Sequence, residues 1–159
     1  MSVVATITYS CVGPIRDRAL EPDGSLSVSF VSFVALRIYL VEDNVIIREN
    51  LAATLAELAN ATICGTAEGE AQAVSWLKTH INDWDLAIVD LFLKQGNGLG
   101  VVAATRDRRE DQKLVVLTNY ASAGVREQCM KLGASVVFDK SHDIEDLVDY
   151  CLMQNASRQ

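Results

Sequence analysis

The stretch Asp85-Leu86-Ala87-Ile88-Val89-Asp90-Leu91-Phe92-Leu93-Lys94-Gln95-Gly96-Asn97-Gly98-Leu99-Gly100 decides the fold. It opens on an apolar run with a β-branched centre, the length of a buried strand and too short for a helix. Asp90 closes that run just before a Gly-rich turn. A carboxylate there is costly unless it is hydrogen-bonded, neutralised or solvated at the rim of a sheet. In an open parallel sheet the carboxyl edge is also where ligands bind. Asp90 is the first candidate for chemistry.

Outward from this stretch, strand and helix patterns alternate. Residues 36–41 read as a strand running into Glu42-Asp43, with Asn44 placed to cap a helix. In that helix Val45, Ile46, Leu51, Leu55 and Leu58 recur at helical spacing. Residues 62–67 form the next strand, and residues 70–80 a helix with Ala73, Val74 and Leu77 inward. The turn after Asp90 leads into a helix over about 99–109. A strand over 113–117 ends at Thr118-Asn119, and a helix over 122–132 stops at Gly133, a residue suited to a left-handed C-cap. A strand over 135–138 ends in Asp139-Lys140, and the last helix covers 143–153 with Asp143 as its cap. Five strands alternating with five helices predict an α/β fold, a parallel sheet covered on both faces.

Bulk properties narrow the function. The 159 residues are half apolar and 22% charged, a globular composition, and the net charge of −7 argues against a general nucleic-acid binder. Cys11, Cys64, Cys129 and Cys151 lack the paired spacing of zinc or redox sites. Arg37 breaks the best apolar run short of the ~18 residues a membrane span needs, and no basic signal-peptide start is present. A cytoplasmic location is expected. Residues 1–34 carry turn signals at Val12-Gly13-Pro14 and Pro22-Asp23-Gly24, and an alternating stretch at 25–33. They are expected to be a poorly ordered extension, followed by one domain over 35–155 and a tail over 156–159.

Four predicted strands end in polar residues: Glu42-Asp43, Asp90, Thr118 and Lys140. Parallel strands point the same way, so these ends gather on one rim. Three crowded carboxylates repel one another unless a cation sits among them. Hard oxygen ligands with room for water suit Mg²⁺, which takes one or two carboxylates plus a phosphate oxygen. Lys140 supplies a point charge for a phosphoryl oxygen and Thr118 a hydroxyl donor. The chemistry this pattern points to is attack by the Asp90 carboxylate on a phosphoryl donor, giving an acyl phosphate.

At these residues the chain resembles the receiver domain of bacterial response regulators. The matching stretches are Ile38-Tyr39-Leu40-Val41-Glu42-Asp43-Asn44, Ala87-Ile88-Val89-Asp90-Leu91, Val115-Val116-Leu117-Thr118, and Gly133-Ala134 followed by Phe138-Asp139-Lys140-Ser141. The resemblance covers about residues 36–153. It implies a (βα)5 doubly wound, flavodoxin-like sheet of order 2-1-3-4-5. It also implies that Asp90 is the phosphoacceptor, that Glu42, Asp43, Asp90 and the backbone carbonyl of Phe92 hold Mg²⁺, and that Thr118 and Lys140 assist. The implied donor is a phosphohistidine on a sensor histidine kinase or histidine phosphotransfer protein, and the chain is not an enzyme beyond its own phosphorylation and dephosphorylation. Output is expected through the fourth helix, fifth strand and fifth helix, with no direct DNA or membrane binding and with homodimerisation left open.

Only residues 154–159 follow the predicted last helix, so a stand-alone receiver is expected. The alternatives are a phosphorylation-independent interaction module on the same fold and, lower in rank, an Asp-nucleophile phosphatase. Four positions depart from the family pattern. Lys94 replaces a common proline, predicting a looser loop; Asn119 replaces a small residue; Val137 stands where an aromatic switch is usual; Ser141 replaces a proline. Arg106, Arg108 and Arg109 read as a solvated face, Gly96-Asn97-Gly98-Leu99-Gly100 as a turn opening a helix, and Trp76 and Trp84 as packing residues.

Overall fold

Alternation of side chains along each strand builds the two halves of the core. The computed structural model describes residues 34–158 and two short strands before them, in a chain that divides into two units, Met1–Ser32 and Phe33–Gln159. In the first unit Ala19–Leu20 pairs antiparallel with Leu26–Ser27. The remainder of the expected extension, and Cys11, lie outside the described residues.

The second unit runs β1 (Leu36–Val41), α1 (Val45–Ala59), β2 (Ala61–Ala67), α2 (Glu70–Thr79), β3 (Leu86–Val89), α3 (Gly98–Ala104), β4 (Lys113–Thr118), α4 (Ala123–Leu132), β5 (Val136–Asp139), α5 (Ile144–Ala156). All neighbouring strands are parallel and stand in the order β2-β1-β3-β4-β5, the doubly wound arrangement that the resemblance implied. Leu36, Ile38, Leu40, Leu86, Ile88, Val115, Leu117 and Phe138 face α1 and α5. Tyr39, Val41, Ala87, Val89, Leu114, Val116 and Val137 face α2, α3 and α4. Each fully buried aliphatic side chain among them contributes about 1.5–3 kcal/mol. Val137 and Phe138 lie on opposite faces, as neighbours on a strand must.

Four expectations need correction. In α1 the buried residues are Leu51, Leu55 and Ala59, whereas Val45, Ile46 and Leu58 are exposed. That helix is apolar on more than one side, so spacing alone did not fix which side turns inward. α3 stops at Ala104 rather than near residue 109, where the Thr105 hydroxyl donates back to the Val101 carbonyl. Arg108 then turns inward and donates to the carbonyls of Gln112, Thr105 and Gly133 (3.1, 3.3 and 2.8 Å); it is a structural clamp, not a solvated charge. Finally, the Asp143 side chain makes no capping bond to α5. It accepts from the Asp139 amide and from Arg126 instead.

Other details follow the sequence. Asn44 caps α1 by accepting from the amides of Ile46 and Ile47, and Ser122 caps α4. Gly133 closes α4 at φ 113°, in the left-handed region. Trp84 is fully buried and Trp76 stacks on Tyr39 with centroids 4.3 Å apart. Burial pushes the Cys64 thiol up to about 11 and the Cys151 thiol up to about 12, leaving neither a ready nucleophile.

Candidate functional site

Because the strands are parallel, the residues just beyond β1, β3 and β5, and the last residue of β4, meet at one rim. Glu42 and Asp43 follow β1, Asp90 follows β3, Thr118 ends β4 and Lys140 follows β5. One oxygen from each of Glu42, Asp43 and Asp90 falls within 4.8 Å of the others. The Lys140 ammonium donates to Glu42 Oε2 at 2.6 Å and to Asp90 Oδ2 at 2.9 Å. Side-chain exposure is only 10% for Lys140 and Asp90 and 6% for Glu42, so these charges interact through little water. Burial pulls the Lys140 pKa down, but its bonds to Glu42 and Asp90 outweigh that and hold it above the ordinary value of 10.5. The ammonium stays charged at neutral pH.

One ammonium among three carboxylates leaves the cluster net anionic. Hard oxygen donors in that balance fit a divalent cation with its remaining waters, and the residues able to hold it are Glu42, Asp43 and Asp90. Thr118 is fully buried; its hydroxyl oxygen accepts from the Tyr120 amide at 3.3 Å, and its carbonyl accepts from the Lys140 amide at 3.0 Å. The hydroxyl thus has an acceptor role in this structure, and its proton is not committed to any protein acceptor among the described residues. Of the predicted residues, Glu42, Asp43, Asp90 and Lys140 are brought into one cluster, while Thr118 is placed at the end of the neighbouring strand β4. Phe92 lies two residues past Asp90, its amide donating to Asp90 Oδ1 at 3.4 Å.

The loop after Asp90 is tied rather than loose. Lys94 has an amide proton that a proline would lack, and it donates to Asp43 Oδ2 at 2.9 Å. Gln95 accepts from the Glu70 amide, Glu70 accepts from the Asn97 amide at 2.7 Å, and Asn97 caps α3 through the Leu99 amide. Gly98 is required by close approach: a Cβ there would clash with the Asp90 carbonyl oxygen and lie 2.7 Å from Leu91 Cα. The Lys140–Ser141 peptide is trans.

Three features escaped the sequence reading. Phe92 and Tyr120, 59% and 64% exposed, pack edge to face with centroids 4.8 Å apart. The signal available was their matched position, each two residues after Asp90 or Thr118. Arg48 on α1 donates to the Glu42 carbonyl at 2.7 Å and pairs with Glu68, fixing the loop that carries two of the acids. A cleft of about 340 Å³ between α1 and α5 opens beside Lys140, lined by Ile47, Leu51, Leu117, Asn119 and Ile144 among others.

A doubly wound 2-1-3-4-5 sheet carrying an acidic pocket and a lysine at its carboxyl rim defines the class of receiver proteins. A family model described as the response regulator receiver domain matches residues 38–151, and the chain belongs to that family. It is 39% identical over 66 residues to the photosynthetic apparatus regulatory protein RegA of Rhodobacter capsulatus, covering 42% of this chain and 36% of that one. It is 34% identical over 92 residues to the acid tolerance regulatory protein ActR of Rhizobium meliloti strain 1021, covering 58% of this chain and 44% of that one. The chain thus spans less than half the length of these two relatives. The signal receiver domain of the response regulator NarL from Mycobacterium tuberculosis superposes with a TM-score of 0.67 at 20% identity, covering 77% of this chain and 97% of that one. The chain is therefore a receiver domain of two-component signalling. No helix among the described residues is long and apolar enough to cross a membrane.

Proposed function

We infer that this receiver accepts a phosphoryl group on Asp90 from a phosphohistidine and uses it to change the surface that a partner reads. The observation that carries the reading is the contact of one ammonium, Lys140, with both Asp90 and Glu42 inside a pocket of three carboxylates. An Asp90 carboxylate oxygen attacks phosphorus, the P–N bond to the donor imidazole breaks, and the imidazole leaves with the electron pair and is protonated. Lys140 follows the charge from the carboxylate onto a phosphoryl oxygen, and the Thr118 hydroxyl donates to another. Glu42, Asp43, Asp90 and the Phe92 carbonyl are the proposed Mg²⁺ ligands. The ion, when bound, supplies positive charge against the incoming phosphoryl oxygens. Attack by water on the acyl phosphate returns the carboxylate and inorganic phosphate, which sets the lifetime of the signal.

The donor, a sensor histidine kinase or histidine phosphotransfer protein, is expected to approach over the start of α1. Val45, Ile46 and Ile47 are exposed there, beside the cleft at Lys140. Such apolar exposure next to charged chemistry suits a helical partner surface. A cytoplasmic setting follows from that partner. The domain's net negative charge supports output by protein contact through α4, β5 and α5 rather than by its own contact with DNA.

The test is incubation with Mg²⁺ and a small acyl phosphate or phosphoramidate, followed by intact mass and hydroxylamine treatment. Hydroxylamine-labile label on the wild type and none on Asp90→Asn is the expected result. A protein that takes no label from any donor would instead be an interaction module working without phosphorylation, a reading favoured by the buried aliphatic Val137 in the usual aromatic position.

A further inference from the structure

We propose that Arg126 carries occupancy of the phosphoryl site to α5, by releasing Asp143 to cap that helix. The proposal rests on the phosphoacceptor reading above. Arg126 stands on α4, and its guanidinium spans three elements. Nε donates to the Ala121 carbonyl at 3.0 Å, in the segment between Thr118 and α4. One terminal nitrogen donates to the Val137 carbonyl on β5. The other donates to Asp143 Oδ2 at 3.3 Å, immediately before α5. A planar fork of five donors can hold three acceptors in one plane, which an ammonium on a flexible stem cannot do.

Asp143 is the residue on which this arrangement turns. It occupies the cap position of α5, where a carboxylate ordinarily accepts from the amides two and three residues on. Here it makes no such bond; Oδ2 is held by Arg126 and by the Asp139 amide at 2.8 Å. The first amides of α5 thus lack a side-chain partner, and Asp143, at φ −108° and ψ 19°, supplies one only when its backbone swings to the extended cap conformation together with its side chain. Two arrangements of one carboxylate compete, clamped to Arg126 or closed on α5.

Phosphorylation biases that choice through Thr118. Its hydroxyl oxygen holds the Tyr120 amide, and the segment from 119 to 121 ends at the carbonyl that anchors Arg126. Recruiting the Thr118 hydroxyl to a phosphoryl oxygen draws this segment toward Asp90 and withdraws the Ala121 carbonyl from Nε. With one of its three anchors gone the guanidinium is no longer fixed in its fork, its bond to Asp143 opens, and Asp143 exchanges the Asp139 amide for those of Glu145 and Asp146. Val137 cannot serve this coupling, since its side chain is aliphatic and buried.

Amide exchange read residue by residue on the full chain tests this, with the phosphorylated fraction measured by intact mass in the same samples. In the wild type, labelling slows exchange at Glu145 and Asp146 by about fivefold, the factor that one side-chain cap supplies. In Arg126→Ala these amides are already slowed before labelling, and labelling adds no more than about a further 1.5-fold. Asp143→Ala shows fast exchange in both states. Arg126→Lys, which keeps the charge without the fork, behaves like Arg126→Ala and carries the comparison if the alanine variant does not fold. Label on the wild type with no change at these amides, or an undiminished change in Arg126→Ala, overturns the proposal alone. A wild type that takes no label overturns the phosphoacceptor reading, and this coupling falls with it.

Discussion

Replacing Asp43 by asparagine separates electrostatic repulsion from metal binding in one measurement. The substituted amide keeps an oxygen for the Lys94 N–H but removes one of three carboxylates whose oxygens lie within 4.8 Å of each other. Lys140 touches the other two acids, so roughly one like charge faces Asp43 uncompensated. At 4.8 Å that repulsion is about 3.5 kcal/mol at an effective dielectric of 20 and about 0.9 kcal/mol in bulk water. Asp43 is partly exposed, so Asp43→Asn should stabilise the metal-free domain by about 1–3 kcal/mol. Mg²⁺ should act in the opposite sense on the pair. At ten times its dissociation constant it adds about 1.4 kcal/mol to the wild type and close to nothing to the variant. Urea unfolding in EDTA and in MgCl₂ at matched ionic strength, followed by the fluorescence of buried Trp84, reads both quantities. A variant less stable than wild type in EDTA, or one that gains as much from Mg²⁺ as the wild type does, would refute the reasoning.

Further expectations concern the rest of the frame. Burial works to raise the Asp85 pKa, but hydrogen bonds from Arg37 and the charge of Arg158 outweigh it and hold the carboxyl below its ordinary 3.8. Its stabilisation is present in full above that value and is lost as pH falls through the lowered one, so Asp85→Asn should flatten the acid limb of a stability–pH curve below about pH 4. At pH 7 the alanine variant, leaving Arg37 and Arg158 without their carboxylate, should lose about 3 kcal/mol in a urea titration. Gly98→Ala forces its methyl against the backbone of Asp90 and Leu91 and should cost about 2 kcal/mol or more while slowing phosphorylation, read by thermal melting and label uptake. Gln112, 1% exposed, donates to the carbonyls of Ile81 and Trp84 (2.7 and 2.9 Å); Gln112→Ala should destabilise by about 2–3 kcal/mol in the same titration.

Much of this architecture was legible because strands ending in Asp90, Thr118 and Lys140 can be parallel only if those ends converge. The apolar runs located the strands, and Asn44 and Gly133 marked helix ends through local chemistry that needs no distant partner. What escaped the sequence depended on long-range contacts. Val45, Ile46 and Leu58 are at least as hydrophobic as the residues that pack, and only the positions of the sheet and α5 select Leu51, Leu55 and Ala59. Arg108 looked like a solvated charge because its acceptors include the carbonyl of Gly133, 25 residues away. Asp143 looked like a cap because nothing local announces Arg126. Within the site, residue types gave the chemistry, but the shared contact of Lys140 with two acids belongs to the folded chain alone.

Arg158 places its guanidinium 2.6 Å from Asp85, at the amino end of β3. Asp90 lies five residues further on, about 16 Å away at the rise of an extended strand. Polypeptide continuing past Arg158 would therefore set out from the pole of the domain facing away from Asp90. α5 is the element that joins this pole to the loop carrying Lys140, so, if Asp90 is phosphorylated as proposed, the stiffness of that helix would govern what such a segment senses.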